Sequence, residues 1–109
     1  MTSERRRDPR VKWEAPAAFK PSLHKQSYQG QTVDLSKGGS LIQSPIPLEA
    51  GSGLELRIDL GEFRLVPIDG KVCRSNPTAL GHDHLIAIEF DERHDALMDV
   101  VVQAADEMF

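Results

Sequence analysis

Apolar and polar residues alternate in short runs along most of this chain, and the period changes once, near the C-terminus. Val11 and Trp13 alternate with Lys12 and Glu14, and the run continues through small residues around Pro16 to Phe19. Tyr28–Leu35 forms a second run, after a polar stretch that carries little strand signal. Ser40–Gln43 is a third, short one, closed by Pro45 and Pro47. Leu54-Glu-Leu-Arg-Ile-Asp-Leu60 alternates strictly, which puts Leu54, Leu56, Ile58 and Leu60 on one face of a strand. Gly61-Glu62 predicts a tight hairpin connection to a return strand over Phe63–Arg74. Pro67 breaks that alternation and predicts an edge position or a bulge, since proline cannot donate to a ladder. His84–Phe90 is the sixth run.

Beyond it, Ala96, Leu97, Val100, Val101, Ala104, Ala105 and Met108 recur at helical spacing. Asp91, Glu92 and Asp95 sit near the start of this segment, where a helix dipole favours negative charge. The tail therefore predicts one amphipathic helix over about 94–107, whose apolar stripe must cover an open end or face of the strands. Six short strands and a closing helix make a mostly β protein, a small barrel or sandwich. Residues 1–10 are polar, carry Pro9 and predict a flexible arm; residues 11–109 predict one domain.

Length and composition narrow the picture further. At 109 residues the expectation is a single domain with one modest core. One cysteine excludes an internal disulfide and any multi-cysteine zinc site. No apolar run approaches the roughly 18 residues of a membrane span, and no apolar stretch follows the N-terminus, so the expectation is a cytoplasmic protein without membrane insertion.

Charge is unevenly spread. Residues 1–25 hold seven basic and three acidic groups, whereas the remainder holds six basic and fourteen acidic ones. A cationic head on an anionic body suggests a local anion site, with a solvated start to the chain as the plainer explanation. It argues against a nucleic-acid binder, which needs a broad basic face.

Two short motifs carry chemistry. Arg5-Arg6-Arg7-Asp8-Pro9-Arg10 places Arg6 and Arg10 four apart on the arm. Their guanidinium forks match phosphate oxygens and the O6/N7 edge of guanine. Asp34-Leu35-Ser36-Lys37-Gly38-Gly39 sets Asp34 and Ser36 two apart at a strand end, so both can face a ligand. The paired glycines permit positive φ and close approach. Taken singly, an arginine run is common and Asp-x-Ser-x-x-Gly is an ordinary turn sequence.

Together and in this order, with the strands and closing helix that follow, they resemble the PilZ domain, a bacterial receptor for the second messenger cyclic di-GMP. Arg6 and Arg10 match the two arginines of its first motif, with Arg5 preceding them, and Asp34, Ser36 and Gly39 match its second. Gly70-Lys-Val-Cys-Arg74 is similar to the family's Gly-x-Val-x-Arg strand, and Leu85–Phe90 to its last strand. Two departures stand out: Ala87 where many members carry glycine, and a stretch rich in His and Asp from Gly81 to His84. Neither is expected to touch the ligand motifs, so both are assigned to local packing.

The resemblance implies a six-stranded antiparallel β-barrel of the PilZ split-barrel type. It implies that Arg6 and Arg10 wrap over cyclic di-GMP, that Asp34 accepts from a guanine N1–H and N2–H₂ pair, and that Ser36, Gly38 and Gly39 add hydrogen bonds. Arg5 joins the arginine set and Arg74 sits at the rim. The expected protein is no enzyme, needs no cofactor or metal, and passes the signal to an unidentified protein effector as a monomer or weak dimer. The alternative is a PilZ-like adaptor between proteins that binds no nucleotide.

Other constellations are weaker. His82-Asp83-His84 allows a metal by spacing but lacks a third ligand, so it reads as an exposed polar turn. Ser36 has no nucleophile elbow around it. Cys73 is expected to pack within its strand, and Trp13 in the core.

Overall fold

The computed structural model describes residues 11–59, 65–79 and 81–92. The predicted arm over 1–10, the hairpin tip at Gly61-Glu62 and the C-terminal helix over about 94–107 lie outside the described residues.

Among the described residues seven strands follow one another: β1 (Val11–Lys12), β2 (Pro16–Pro21), β3 (Tyr28–Leu35), β4 (Gly39–Ser44), β5 (Gly53–Asp59), β6 (Leu65–Pro77) and β7 (His84–Phe90). All pairings are antiparallel. The order β3-β2-β5-β6-β7-β4 closes back on itself through a β3–β4 pairing, which gives a six-stranded barrel. Closure resolves the choice between barrel and sandwich left open by the strand pattern.

The seventh strand is half of a predicted one. Val11 pairs with Leu35 and Lys12 with Asp34, whereas Pro16 pairs with Gln31 and Ala17 with Gly30. The two registers differ by one residue, so β1 and β2 are one run along β3 interrupted by a bulge at Trp13–Ala15.

Alternation accounts for the interior. On β5, Leu54, Leu56 and Ile58 are buried while Arg57 is exposed. Phe19, Leu35, Ile42, Ile68, Ile86 and Ile88 complete the same core from five other strands, and Trp13 packs against it half-buried, as expected. Pro67 pairs across to Arg57 of β5, and pairing of β6 with β7 starts only at Gly70. The missing proline N–H therefore falls where β6, among the described residues, is not paired with β7.

Three buried serines and a threonine interrupt the apolar lining: Thr32, Ser36, Ser40 and Ser44. Each is satisfied by nearby backbone; Ser40 Oγ donates to the Asp34 carbonyl at 2.7 Å and Ser44 Oγ to the Ile46 carbonyl at 2.7 Å.

Candidate functional site

The Asp-x-Ser-x-x-Gly sequence forms the hairpin between β3 and β4. The Ser36 N–H donates to the Gly39 carbonyl at 2.9 Å, leaving Lys37 and Gly38 at the tip. Ser36 Oγ accepts from the Gly39 N–H at 3.1 Å. The Gly38 carbonyl accepts from the Phe90 N–H at 2.8 Å, which fastens the turn to the end of β7. Glycine at position 39 answers to space: a Cβ there would lie 2.5 Å from the Ile88 carbonyl oxygen. The positive φ allowed by the sequence is used elsewhere, at Gly51 and Gly81.

Asp34 and Ser36 differ in setting. Asp34 is half-buried, and its Oδ1 accepts from the Leu41 N–H at 3.1 Å. Ser36 is 5% exposed, and its hydroxyl lies inside the turn. The two residues expected to face a ligand together thus differ: the Ser36 hydroxyl is turned into the hairpin, while Asp34 is only half-buried.

Asp34 reaches the outer face because β3 carries an extra residue. Thr32 pairs with Ile42 and Asp34 with Leu41, so Val33 is bulged against β4. In a regular strand Asp34 would share the inward face of buried Thr32; the bulge turns it out while Leu35 stays buried. The same device operates in β6. Val72 pairs with Ile88 and Arg74 with Ala87, so Cys73 is the extra residue, and Arg74 turns out although Val72 two positions earlier is buried. Cys73 is itself exposed, a correction to the expectation that it packs within the strand.

Direct pairing then links these positions across the barrel wall. Lys12 pairs with Asp34, Asp34 with Leu41, Leu41 with Ala87, and Ala87 with Arg74. Directly paired residues share a face. The line thus presents a cation, a carboxylate, two small-to-medium apolar side chains and a guanidinium on one outer surface. At about 4.8 Å per strand it runs roughly 14 Å from Asp34 to Arg74. Ala87 belongs to this line, paired with Leu41 on one side and Arg74 on the other. Leu41 and Lys12 were missed; alternation against buried Ile42 already points Leu41 outward, whereas Lys12 becomes legible only once its register with Asp34 is known.

Other predicted site residues divide clearly. Gly38 and Gly39 are brought to the end of the barrel where β7 finishes, whereas Arg74 lies in the wall, paired with Ala87 in mid-strand. Arg5, Arg6 and Arg10 lie outside the described residues. The His-Asp stretch forms the β6–β7 connection, where Gln43 Nε2 donates to Asp83 Oδ2 at 2.6 Å. Among the described residues no three His, Cys, Asp or Glu side chains gather as metal ligands, and no helix is long and apolar enough to cross a membrane.

A closed six-stranded antiparallel barrel with a motif-bearing β3–β4 turn defines a class of small β-barrel domains. The PilZ domain model matches residues 4–105, and the chain belongs to the PilZ domain family. The PilZ domain of YcgR from Escherichia coli, solved with c-di-GMP, superposes with a TM-score of 0.73 at 13% identity, covering 95% of this chain and 93% of that one. MotI/DgrA, an inhibitor of motility from Bacillus subtilis, gives 0.75 at 17% identity over 94% of this chain and 50% of its own. The MrkH–c-di-GMP complex of K. pneumonia gives 0.72 at 22% identity over 94% and 55%. The chain thus spans about half the length of MotI and MrkH. No curated protein sequence matches it.

Proposed function

We propose that this chain is a cyclic di-GMP receptor that couples the level of the messenger to a partner protein. The observation that carries the reading is the line Asp34–Leu41–Ala87–Arg74 beside the Ser36–Gly39 turn. Asp34 offers a carboxylate for a guanine N1–H and N2–H₂ pair, which adenine lacks. Leu41 and Ala87 offer an apolar floor for a base, and Arg74 a cation for a phosphate or a guanine edge. Membership of the PilZ family, and neighbours solved with c-di-GMP, support the same ligand.

The arginine motif completes the reading through covalent connection. Val11 pairs with Leu35, the residue before Ser36, and Arg10 is joined directly to Val11. Arg10, Arg6 and Arg5 therefore belong to a segment that starts within one residue of the turn. A dianionic ligand seated on the outer wall supplies the counter-charge for them, and the arm folds across it. Ordering each arm residue costs about 1–2 kcal/mol in backbone entropy, so several charge-assisted contacts are required to hold it. Arm and ligand together form a surface that neither offers alone, and a partner reading that surface senses the messenger.

Calorimetric titration of cyclic di-GMP, with cyclic di-AMP and GTP as controls, tests the reading. Saturable heat and a rise in Tm with cyclic di-GMP alone are expected. No heat and no Tm shift at high micromolar ligand overturn it.

A further inference from the structure

We propose that Thr32 is a positioning residue for ligand binding: its buried hydroxyl pins the Trp13–Ala15 bulge and so fixes the register that sets Lys12 beside Asp34 on the outer wall. The proposal rests on the cyclic di-GMP reading above and adds to it a residue outside both motifs.

Thr32 is 0% exposed and sits in mid-strand, one of four buried hydroxyl residues in a largely apolar lining. Its hydroxyl serves the neighbouring run. Oγ1 accepts from the Ala15 N–H at 2.9 Å and donates to the Trp13 carbonyl. These two backbone groups flank exposed Glu14, the residue that throws β1 and β2 one position out of step. A bulge interrupts the regular ladder, and backbone polar groups left without partners in a barrel wall are costly. The threonine hydroxyl satisfies both at once. On either side the ladder resumes, with the Thr32 N–H donating to the Ala15 carbonyl at 2.8 Å and the Trp13 N–H to the Val33 carbonyl at 3.1 Å.

The register matters because β1 is short. It contributes two paired residues, Val11 with Leu35 and Lys12 with Asp34, with Val11 and Trp13 packed against the core. A slip by one residue turns every side chain of such a strand to the opposite face. Lys12 would leave the Asp34 line, and Val11 would lose its place beside Leu35. Thr32 therefore acts on the ligand through the path of the chain and needs no contact with it.

Thr32→Val keeps the β-branched shape and removes the hydroxyl; Thr32→Ser restores the hydroxyl. Affinity for cyclic di-GMP is measured at a temperature where all three proteins are folded, together with cross-strand NOEs between Val11 and Leu35 and amide exchange at Ala15. Thr32→Val is expected to weaken the Val11–Leu35 NOE, to expose the Ala15 amide, and to lower affinity about five- to tenfold, as for loss of one or two net hydrogen bonds. Thr32→Ser is expected to recover both register and affinity. Unchanged affinity in Thr32→Val, or lowered affinity with the NOE intact, overturns the proposal. If Thr32→Val does not fold, the unmodified protein still decides: an Ala15 amide that exchanges as fast as an exposed one overturns the pin. Failure of the unmodified protein to bind cyclic di-GMP overturns the functional reading instead, and the NOE comparison then tests the register by itself.

Discussion

Asp34 and Arg74 stand on one line of directly paired residues, and each is turned to the outer wall by a single extra residue immediately before it, Val33 in one case and Cys73 in the other. Two independent bulges thus bring a carboxylate and a guanidinium from distant parts of the chain onto one surface, with Leu41 and Ala87 between them. Bulges recur beside functional sites because they re-aim a side chain without dismantling the sheet.

The floor of that surface gives a direct test. Ala87 points outward from β7 between buried Ile86 and Ile88. Ala87→Leu adds bulk on the outside of the barrel and leaves the interior as it is. Affinity for cyclic di-GMP should fall by at least tenfold, about 1.4 kcal/mol, while Tm moves by little. Calorimetry and a thermal melt on the same sample separate the two effects; unaltered binding would remove Ala87 from the ligand face.

The arginine segment is tested by truncation. Arg6→Ala and Arg10→Ala should each cost about 1.5–3 kcal/mol of binding, the range for hydrogen bonds to charged groups. Titration calorimetry reads this directly, and protection of residues 4–12 from amide exchange should rise on adding ligand to the unmodified protein.

Stoichiometry bears on Arg5. In the PilZ family an arginine in that position accompanies capture of a stacked pair of cyclic di-GMP molecules. Two ligands per chain are expected at saturation, and Arg5→Leu should move the ratio toward one. Sedimentation or calorimetry giving one ligand for the unmodified chain would reject this.

Gly39 tests the turn apart from any ligand. Gly39→Ala drives a Cβ to 2.5 Å from the Ile88 carbonyl oxygen, and backbone must shift to relieve it. The expected loss is about 1–3 kcal/mol of stability, read from urea unfolding.

Much of this was legible in the sequence, and the omissions share a cause. Strict alternation in Leu54–Ile58 locates a strand and its inward face without further information, and the apolar run Leu85–Phe90 locates another strand. The Asp34 and Ser36 motif is likewise visible as a string. A bulge is a mismatch in count between two neighbours, and it becomes visible only when the partner and register are known. For that reason the run from Val11 to Phe19 read as one strand and Cys73 as a packed residue. Lys12 was passed over for the same reason: it acquires meaning from Leu35 and Asp34, more than twenty positions away.

The line from Asp34 to Arg74 is assembled from two hairpins. One contains β3 and β4, the other β6 and β7, and they meet where Leu41 pairs with Ala87. Each hairpin is local in the chain, whereas their junction joins residues more than forty positions apart and carries the larger loop-closure cost. Neither hairpin holds the whole line by itself. A nascent chain on the ribosome acquires the complete face only after β7 has emerged and the ring has shut. Occupancy of that face would therefore report, in the cell, on molecules that have finished folding.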